Sequence, residues 1–186
     1  MPSQPRLTPL PEPEWDEHQR AVVEPLLFGP TRSVPNVHTM LVRAPELAEG
    51  MTTFGRIVRS GGISARHRET LILRTGWNCG SEYEFAEHRQ LAFAIGMSEE
   101  DVRRIQDGPD AEGWDRFERT LCILADELHA TSEVTDATWA ELSDDYSEQE
   151  LIQAMMLVGY YHLVAYMLNG LRVPIEEGKA GFDSSR

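Results

Sequence analysis

The chain is short of cysteine, of positive charge and of long apolar runs, and each shortage closes off a class of function. Its two cysteines, Cys79 and Cys122, stand far apart with no paired-ligand spacing. That excludes zinc-finger and c-type haem patterns and suits a reducing compartment. Basic residues number 17 against 31 acidic ones, a formal net charge of −14, so neither nucleic acid nor an anionic membrane is an expected partner. No uninterrupted apolar stretch reaches about 18 residues, and the N-terminus carries no basic-then-apolar series, so neither a membrane span nor a secretory signal is expected. The cytoplasm is the expected location. Alternation with period two is missing over any useful length, which leaves helices. A glycine-rich phosphate loop and a nucleophile elbow are missing too, which removes the nucleotide-dependent and serine-hydrolase classes.

What is present suits one domain. A chain of 186 residues can bury a single sizeable core. Prolines at positions 2, 5, 9, 11 and 13 make residues 1–14 an extended arm, mobile or wrapped on a neighbour. Residues 15–172 read as one helical domain of about eight helices. A first helix from Trp15 should be kinked or stopped at Pro25 and ended by Gly29-Pro30 and Pro35. Asn36 is a candidate N-cap for a short helix to Val42, and Pro45 opens the next, which closes near residue 60 before Gly61-Gly62. Ser64 caps a helix to about Asn78, and Ser81 starts another that stops at Gly96. Ser98 begins a short helix ending near Gly108, and Trp114 to Ala130 carries Phe117, Leu121, Leu124 and Leu128 at helical spacing. Thr135 caps a helix to about Ser143, and Ser147-x-x-Glu150 is a capping box for a long helix to about Leu171. That last helix is apolar nearly all round, so it should be buried on most sides or packed between subunits. Residues 173–186 read as a polar, frayed tail.

The chemistry concentrates in Ser81-Glu82-Tyr83-Glu84-Phe85-Ala86-Glu87-His88. In a helix, offsets of three and seven set Ser81, Glu84 and His88 within roughly 60° of one another. A hydroxyl, a carboxylate and an imidazole then share a stripe. The preceding helix carries Glu69, and the Trp77-Asn78-Cys79-Gly80 break between the two can fold them into a hairpin that adds a second carboxylate. His88 is the natural proton shuttle, because an unperturbed imidazole titrates near pH 6.5. Glu69 and Glu84 are candidate acid-base partners, and Ser81 and Tyr83 candidate hydrogen-bond donors to a substrate. Ser81-x-x-Glu84 is equally a capping box, and Glu69 equally a first-turn acid. Tyr160, Tyr161 and His162, in the apolar last helix, are candidates for lining the site or for satisfied core and interface positions. Two carboxylates and one histidine also suit a metal, but paired Glu-x-x-His or His-x-x-x-His spacings are missing, so neither metal nor cofactor is expected. Arg74 and Arg89 are candidate anion partners.

Three stretches carry a family resemblance: Arg68-Glu69-Thr70-Leu71-Ile72-Leu73-Arg74, then Gly80-Ser81-Glu82-Tyr83-Glu84 with His88, then Ala94-Ile95-Gly96-Met97-Ser98-Glu99-Glu100. With Asp126-Glu127-Leu128-His129-Ala130 and Gly159-Tyr160-Tyr161-His162, they make residues 35–172 resemble the carboxymuconolactone decarboxylase family of the alkyl hydroperoxidase D-like superfamily. The resemblance implies an all-α fold and homotrimers or hexamers. In the peroxidase branch it implies a Glu, a Cys-x-x-Cys pair and a His. Glu69 and His88 match that pattern, but the thiol positions are Ser81 and Glu84. A dithiol cycle needs an attacking thiolate and a resolving partner, and neither sulfur is there. The decarboxylase branch implies removal of carbon dioxide from an unsaturated lactone acid, with a dienolate protonated at carbon. The leading expectation is therefore a cofactor-independent acid-base enzyme, most simply a lyase, acting on a small carbonyl, lactone or organic acid by decarboxylation, isomerisation or ring opening. Two alternatives stand beside it: a peroxide reductase using Cys79, and a non-catalytic oligomeric binding protein.

Overall fold

Short polar side chains write the helix starts of this chain, and the structure follows them. The computed structural model describes residues 4–24 and 34–182. Among these residues there are nine α-helices: α1 (Glu17–Val23), α2 (Asn36–Leu41), α3 (Pro45–Arg59), α4 (Ala65–Asn78), α5 (Glu82–Ala94), α6 (Glu99–Asp107), α7 (Arg116–Thr131), α8 (Asp136–Ser143) and α9 (Glu148–Leu171). The fold is all-α, as expected. Reciprocal capping boxes open α1 (Asp16 with Gln19), α6 (Ser98 with Asp101) and α9 (Ser147 with Glu150), each satisfying two otherwise orphaned N–H groups. Ser64 and Thr135 accept from His67 and Thr138 as caps of α4 and α8. The expected stops at Pro25 and Gly29-Pro30 lie outside the described residues.

The centre of the fold is α4, whose residues 69–76 are all buried. A helix buried on every side must carry polar groups with partners. Arg74 supplies the clearest case, donating to both carboxylate oxygens of Asp126 on α7 at 2.6 and 2.9 Å and to the carbonyls of Ile105 and Gln106 at the end of α6. Arg66 likewise joins α4 to Asp101 and Glu118. Leu71 and Ile72 pack with Leu121, Leu124, Leu157 and Val158 in the main core, while Leu73 belongs with Phe85, Ala92, Val102 and Ile105. Cys122 is fully buried on α7.

Four local expectations change. Asn36 is the first residue of α2 and not its cap; Pro35 holds that position, and the Asn36 amide donates instead to the carbonyl of Pro174. Asp115 caps α7, one residue beyond Trp114, because its carboxylate reaches the N–H groups of Phe117 and Glu118. The arm includes a 3-10 turn, Glu12–Glu14, and lies on its own chain, with the Arg6 N–H donating to Leu171 and the Leu10 N–H to Thr39. The segment after Val173, expected to fray, lies along α5 up to residue 182. Glu176 accepts from the Tyr83 hydroxyl at 2.6 Å and from the Asn36 N–H, Lys179 pairs with Glu87, and the Phe182 ring packs edge-on against Trp77 and Phe85. Ion pairs and one aromatic ring hold a segment whose composition alone reads as solvated.

Helix α9 has the length and composition of a membrane span, yet half of its most apolar window is buried inside the chain. Ile152, Met156, Leu163 and Tyr166 stay exposed, and their spacing of four, seven and three places them on one stripe.

Candidate active site

A cavity of about 230 Å³ opens where α5 faces α2, α3 and α9. The Cys79-Gly80 turn makes the hairpin that places it: Gly80 takes φ +61°, a left-handed conformation that suits glycine, and α5 then runs back along α4. Gly76 allows the close approach, since a Cβ there would stand 3.1 Å from Glu84 Oε1.

The hairpin brings Glu69 and His88 together across nineteen residues. His88 Nδ1 lies 2.7 Å from Glu69 Oε2, with both groups buried. The Arg68 guanidinium holds the other carboxylate oxygen at 3.1 Å. Burial pushes the Glu69 carboxyl up, but the His88 hydrogen bond and charge, helped by Arg68, outweigh it and hold Glu69 below the ordinary carboxylate value. An ionised acceptor at Nδ1 fixes that nitrogen as the N–H and leaves Nε2 to exchange a proton. His88 lines the cavity, and the Tyr161 ring stands edge-on to it, with centroids 4.9 Å apart and an interplanar angle of 88°.

Glu84 is the opposite case. It lines the same cavity, is 2% exposed, and neither carboxyl oxygen has a hydrogen-bond partner among the described residues. Burial alone raises its pKa well above the ordinary value, because a charge without partners is costly in a poorly solvated site. The environment therefore favours the neutral carboxylic acid over the carboxylate. This geometry excludes the capping-box reading: Ser81 occupies the N-cap position of α5 but makes no side-chain cap bond, and its hydroxyl is buried without a partner among the described residues.

The remaining sequence candidates divide. Tyr161 and the Tyr83 ring line the cavity, but the Tyr83 hydroxyl donates to Glu176 and is committed there. Ser81 and His162 are not among the lining residues. Neither cysteine lines the cavity, nor does Arg74 or Arg89. Arg74 is held by Asp126, and Arg89 lies over the Phe93 ring.

Three more groups stand in the cavity wall, and sequence reasoning missed two of them, Arg59 and His38. Arg59, at the end of α3, is half-buried and donates to the Tyr161 hydroxyl at 3.2 Å, which puts a permanent positive charge in the cavity wall. Tyr160 donates to the Met51 carbonyl at 3.0 Å. It can do so because Gly55 leaves room: a Cβ there would meet the phenol oxygen at 2.3 Å. His38 has its pKa lowered to about 4 by burial, against a smaller raising effect from Glu176, so it stands neutral. The Arg-Ile-Val-Arg ending of α3 reads as an ordinary cationic helix terminus, and nothing local marks Arg59 as facing inward.

No protein-family profile and no curated protein matches the sequence. Solved structures do match in fold. An uncharacterized peroxidase-related protein from Ralstonia eutropha JMP134, described as an alkylhydroperoxidase AhpD core, superposes with a TM-score of 0.82 at 14% identity over 93% of each chain. A putative antioxidant defence protein AhpD from Agrobacterium tumefaciens gives 0.70 at 18% identity, covering 74% of this chain and 95% of that one. A variant of the debrominase Bmp8 in complex with 2,3,4-tribromopyrrole gives 0.73 at 16% identity over 94% and 95%. The chain thus has the alkyl hydroperoxidase D-like helical fold.

Proposed function

We propose that this alkyl hydroperoxidase D-like fold carries a cofactor-independent enzyme, of the carboxymuconolactone decarboxylase-like type, that moves protons on a small unsaturated lactone or keto acid. The observation that supports this reading is the split between two carboxyls, Glu69 hydrogen-bonded to His88 and held below the ordinary carboxylate value, and Glu84 buried without a partner among the described residues and raised above it. Environments that drive paired acids apart in pKa assign them different tasks. Glu84 donates a hydrogen bond to the substrate carbonyl oxygen, where negative charge grows as an enolate forms. His88 exchanges a proton with carbon through Nε2, oriented by Glu69. Arg59 anchors the substrate's second anionic group, and the Tyr161 phenol, kept protonated by burial first of all, completes the polar wall. In a decarboxylation the C–C electron pair left by departing carbon dioxide becomes the enolate, and the proton from His88 quenches it at carbon.

The test is a turnover screen over unsaturated lactone acids and β-keto acids in deuterium oxide. Product carrying one deuterium on carbon, formed in proportion to enzyme, is expected; absence of both turnover and exchange across the series retires the reading. Arg59→Met separates anchoring from chemistry. It is expected to raise KM for a carboxylate substrate about 10- to 100-fold, the worth of one charged hydrogen bond, with kcat changed far less and the corresponding methyl ester insensitive to the substitution.

The working unit in this proposal is a cytoplasmic homotrimer or hexamer. The exposed α9 stripe supports it, since a row of large apolar side chains on the longest helix is stabilised by covering. The double variant Ile152→Glu, Met156→Glu is expected to bring the mass measured by light scattering down to the single-chain 21.0 kDa. A wild-type protein that already runs at that mass at micromolar concentration would refute the assembly.

A further inference from the structure

Away from the cavity, three side chains from three helices converge. Cys79 ends α4, His129 lies in the last turn of α7, and His162 sits midway along α9. Cys79 Sγ is 3.8 Å from His129 Nδ1, and His129 Nδ1 is 3.0 Å from His162 Nε2. All three candidate ligand atoms lie within 4.8 Å of one another. From this juxtaposition we propose that Cys79, His129 and His162 form a binding site for a borderline-soft divalent cation, with Zn²⁺ as the best fit. None of the three lines the catalytic cavity, so the site stands apart from the proposed reaction.

Distance is the first argument. Tetrahedral zinc with bonds of about 2.3 Å to sulfur and about 2.05 Å to nitrogen holds its nitrogens about 3.35 Å apart and sulfur about 3.6 Å from nitrogen. The 3.0 and 3.8 Å separations lie within a few tenths of an ångström of those values, and the third pair lies within 4.8 Å.

Proton placement is the second. His162 Nδ1 lies 2.9 Å from the carbonyl of Val158, and a carbonyl only accepts, so Nδ1 carries the hydrogen and neutral His162 presents a lone pair at Nε2. A backbone carbonyl on the far ring nitrogen is the outer-shell arrangement that orients metal-binding histidines. The Nε2 lone pair and the sulfur both face His129 Nδ1, which has one proton to give. A cation accepts from all three groups at once when His129 carries its proton on the other nitrogen and Cys79 ionises. Cation uptake therefore releases a proton, and affinity rises with pH.

The backbone supplies the third argument. Cys79 is the C-cap of α4, where the helix dipole is negative and favours a cation. Asn169 on α9 donates to the Cys79 carbonyl at 2.9 Å, fixing the turn against the helix that carries His162. His129 is exposed and Cys79 and His162 half-buried, which leaves a path for entry. Carboxylate-preferring Mg²⁺ and Ca²⁺ fit a thiolate–imidazole set poorly.

The test uses full-length protein stripped with chelator, titrated with Zn²⁺ by calorimetry and with Co²⁺ by absorbance. One ion per chain is expected, with Co²⁺ showing tetrahedral visible bands and a thiolate charge-transfer band. Cys79→Ser should abolish the charge-transfer band, and His129→Gln, on the surface and tolerant of change, should weaken Zn²⁺ binding by about 100-fold or more, beyond the range of outer-shell losses. His18→Gln, exposed in α1, is the control and should bind as wild type. Zn²⁺ should also raise the wild-type Tm with increasing free metal and leave that of His129→Gln unmoved. A Co²⁺ complex without the charge-transfer band, or Zn²⁺ affinity unchanged in both variants, would overturn the proposal.

Discussion

Replacing His88 by alanine is expected to lower turnover of whichever lactone or keto acid the screen identifies by about 10²–10⁴-fold, the usual worth of a positioned acid-base group. The expectation follows from geometry: His88 is the cavity group whose ring has one nitrogen tied to a carboxylate, at 2.7 Å, and the other left to work. Alanine also leaves Glu69 buried beside Arg68 without its principal partner, which costs stability of its own. His88→Gln retains volume and an N–H donor for Glu69 but no titrating nitrogen, and should lose nearly as much activity with less effect on unfolding. Added imidazole should restore part of the His88→Ala rate if the ring is the shuttle. Glu69→Gln should act through His88, lowering kcat less than the alanine variant and displacing the pH–rate profile, which a purely structural substitution would leave in place. Turnover unchanged in both His88 variants would end the acid-base assignment.

The parts of this design legible in the sequence are those written in local spacing. Helix starts at Ser64, Ser98, Thr135 and Ser147 were readable because a capping side chain reaches only two or three residues on. Glu69 and His88 were readable as a pair because the break between them is short, so two helices of known rise fix their meeting. Ser81 and Glu84 stayed ambiguous, since Ser-x-x-Glu serves a cap and a site equally well; the orphaned oxygens remove the capping box, and of the two only Glu84 lines the cavity. Long-range packing wrote the rest. Arg59 reaches Tyr161 across 102 residues and Cys79 reaches His129 across 50, and no periodicity encodes such meetings. Among the described residues the tail departs furthest from its composition, because Glu176 and Lys179 look solvated until Tyr83, Asn36 and Glu87 are seen opposite them.

A Glu84→Gln variant should also change how stability depends on pH, by an amount large enough to identify the protonation state directly. In the unfolded chain Glu84 titrates at the ordinary carboxylate value; folded, its pKa stands well above it. Between the two values the folded state holds a proton that the unfolded state has released. Stability therefore falls as pH rises through that window, by about 1.4 kcal/mol per pH unit for one proton. Below the unfolded value both states are protonated and the contribution is fully present. Glutamine copies the neutral acid's shape and cannot titrate, so its unfolding free energy should lack this slope. Glu87, pushed up to about 7 by burial first and by Glu176 next, bends the curve in the same direction, but it does so in both proteins. Subtracting urea-unfolding free energies of wild type from those of Glu84→Gln at intervals from pH 5 to 8 therefore isolates Glu84. The difference should grow in favour of the variant as pH rises toward the folded pKa of Glu84. A flat difference would mean that Glu84 is ionised when folded, and with it would go the neutral donor that the proposed enolate stabilisation requires.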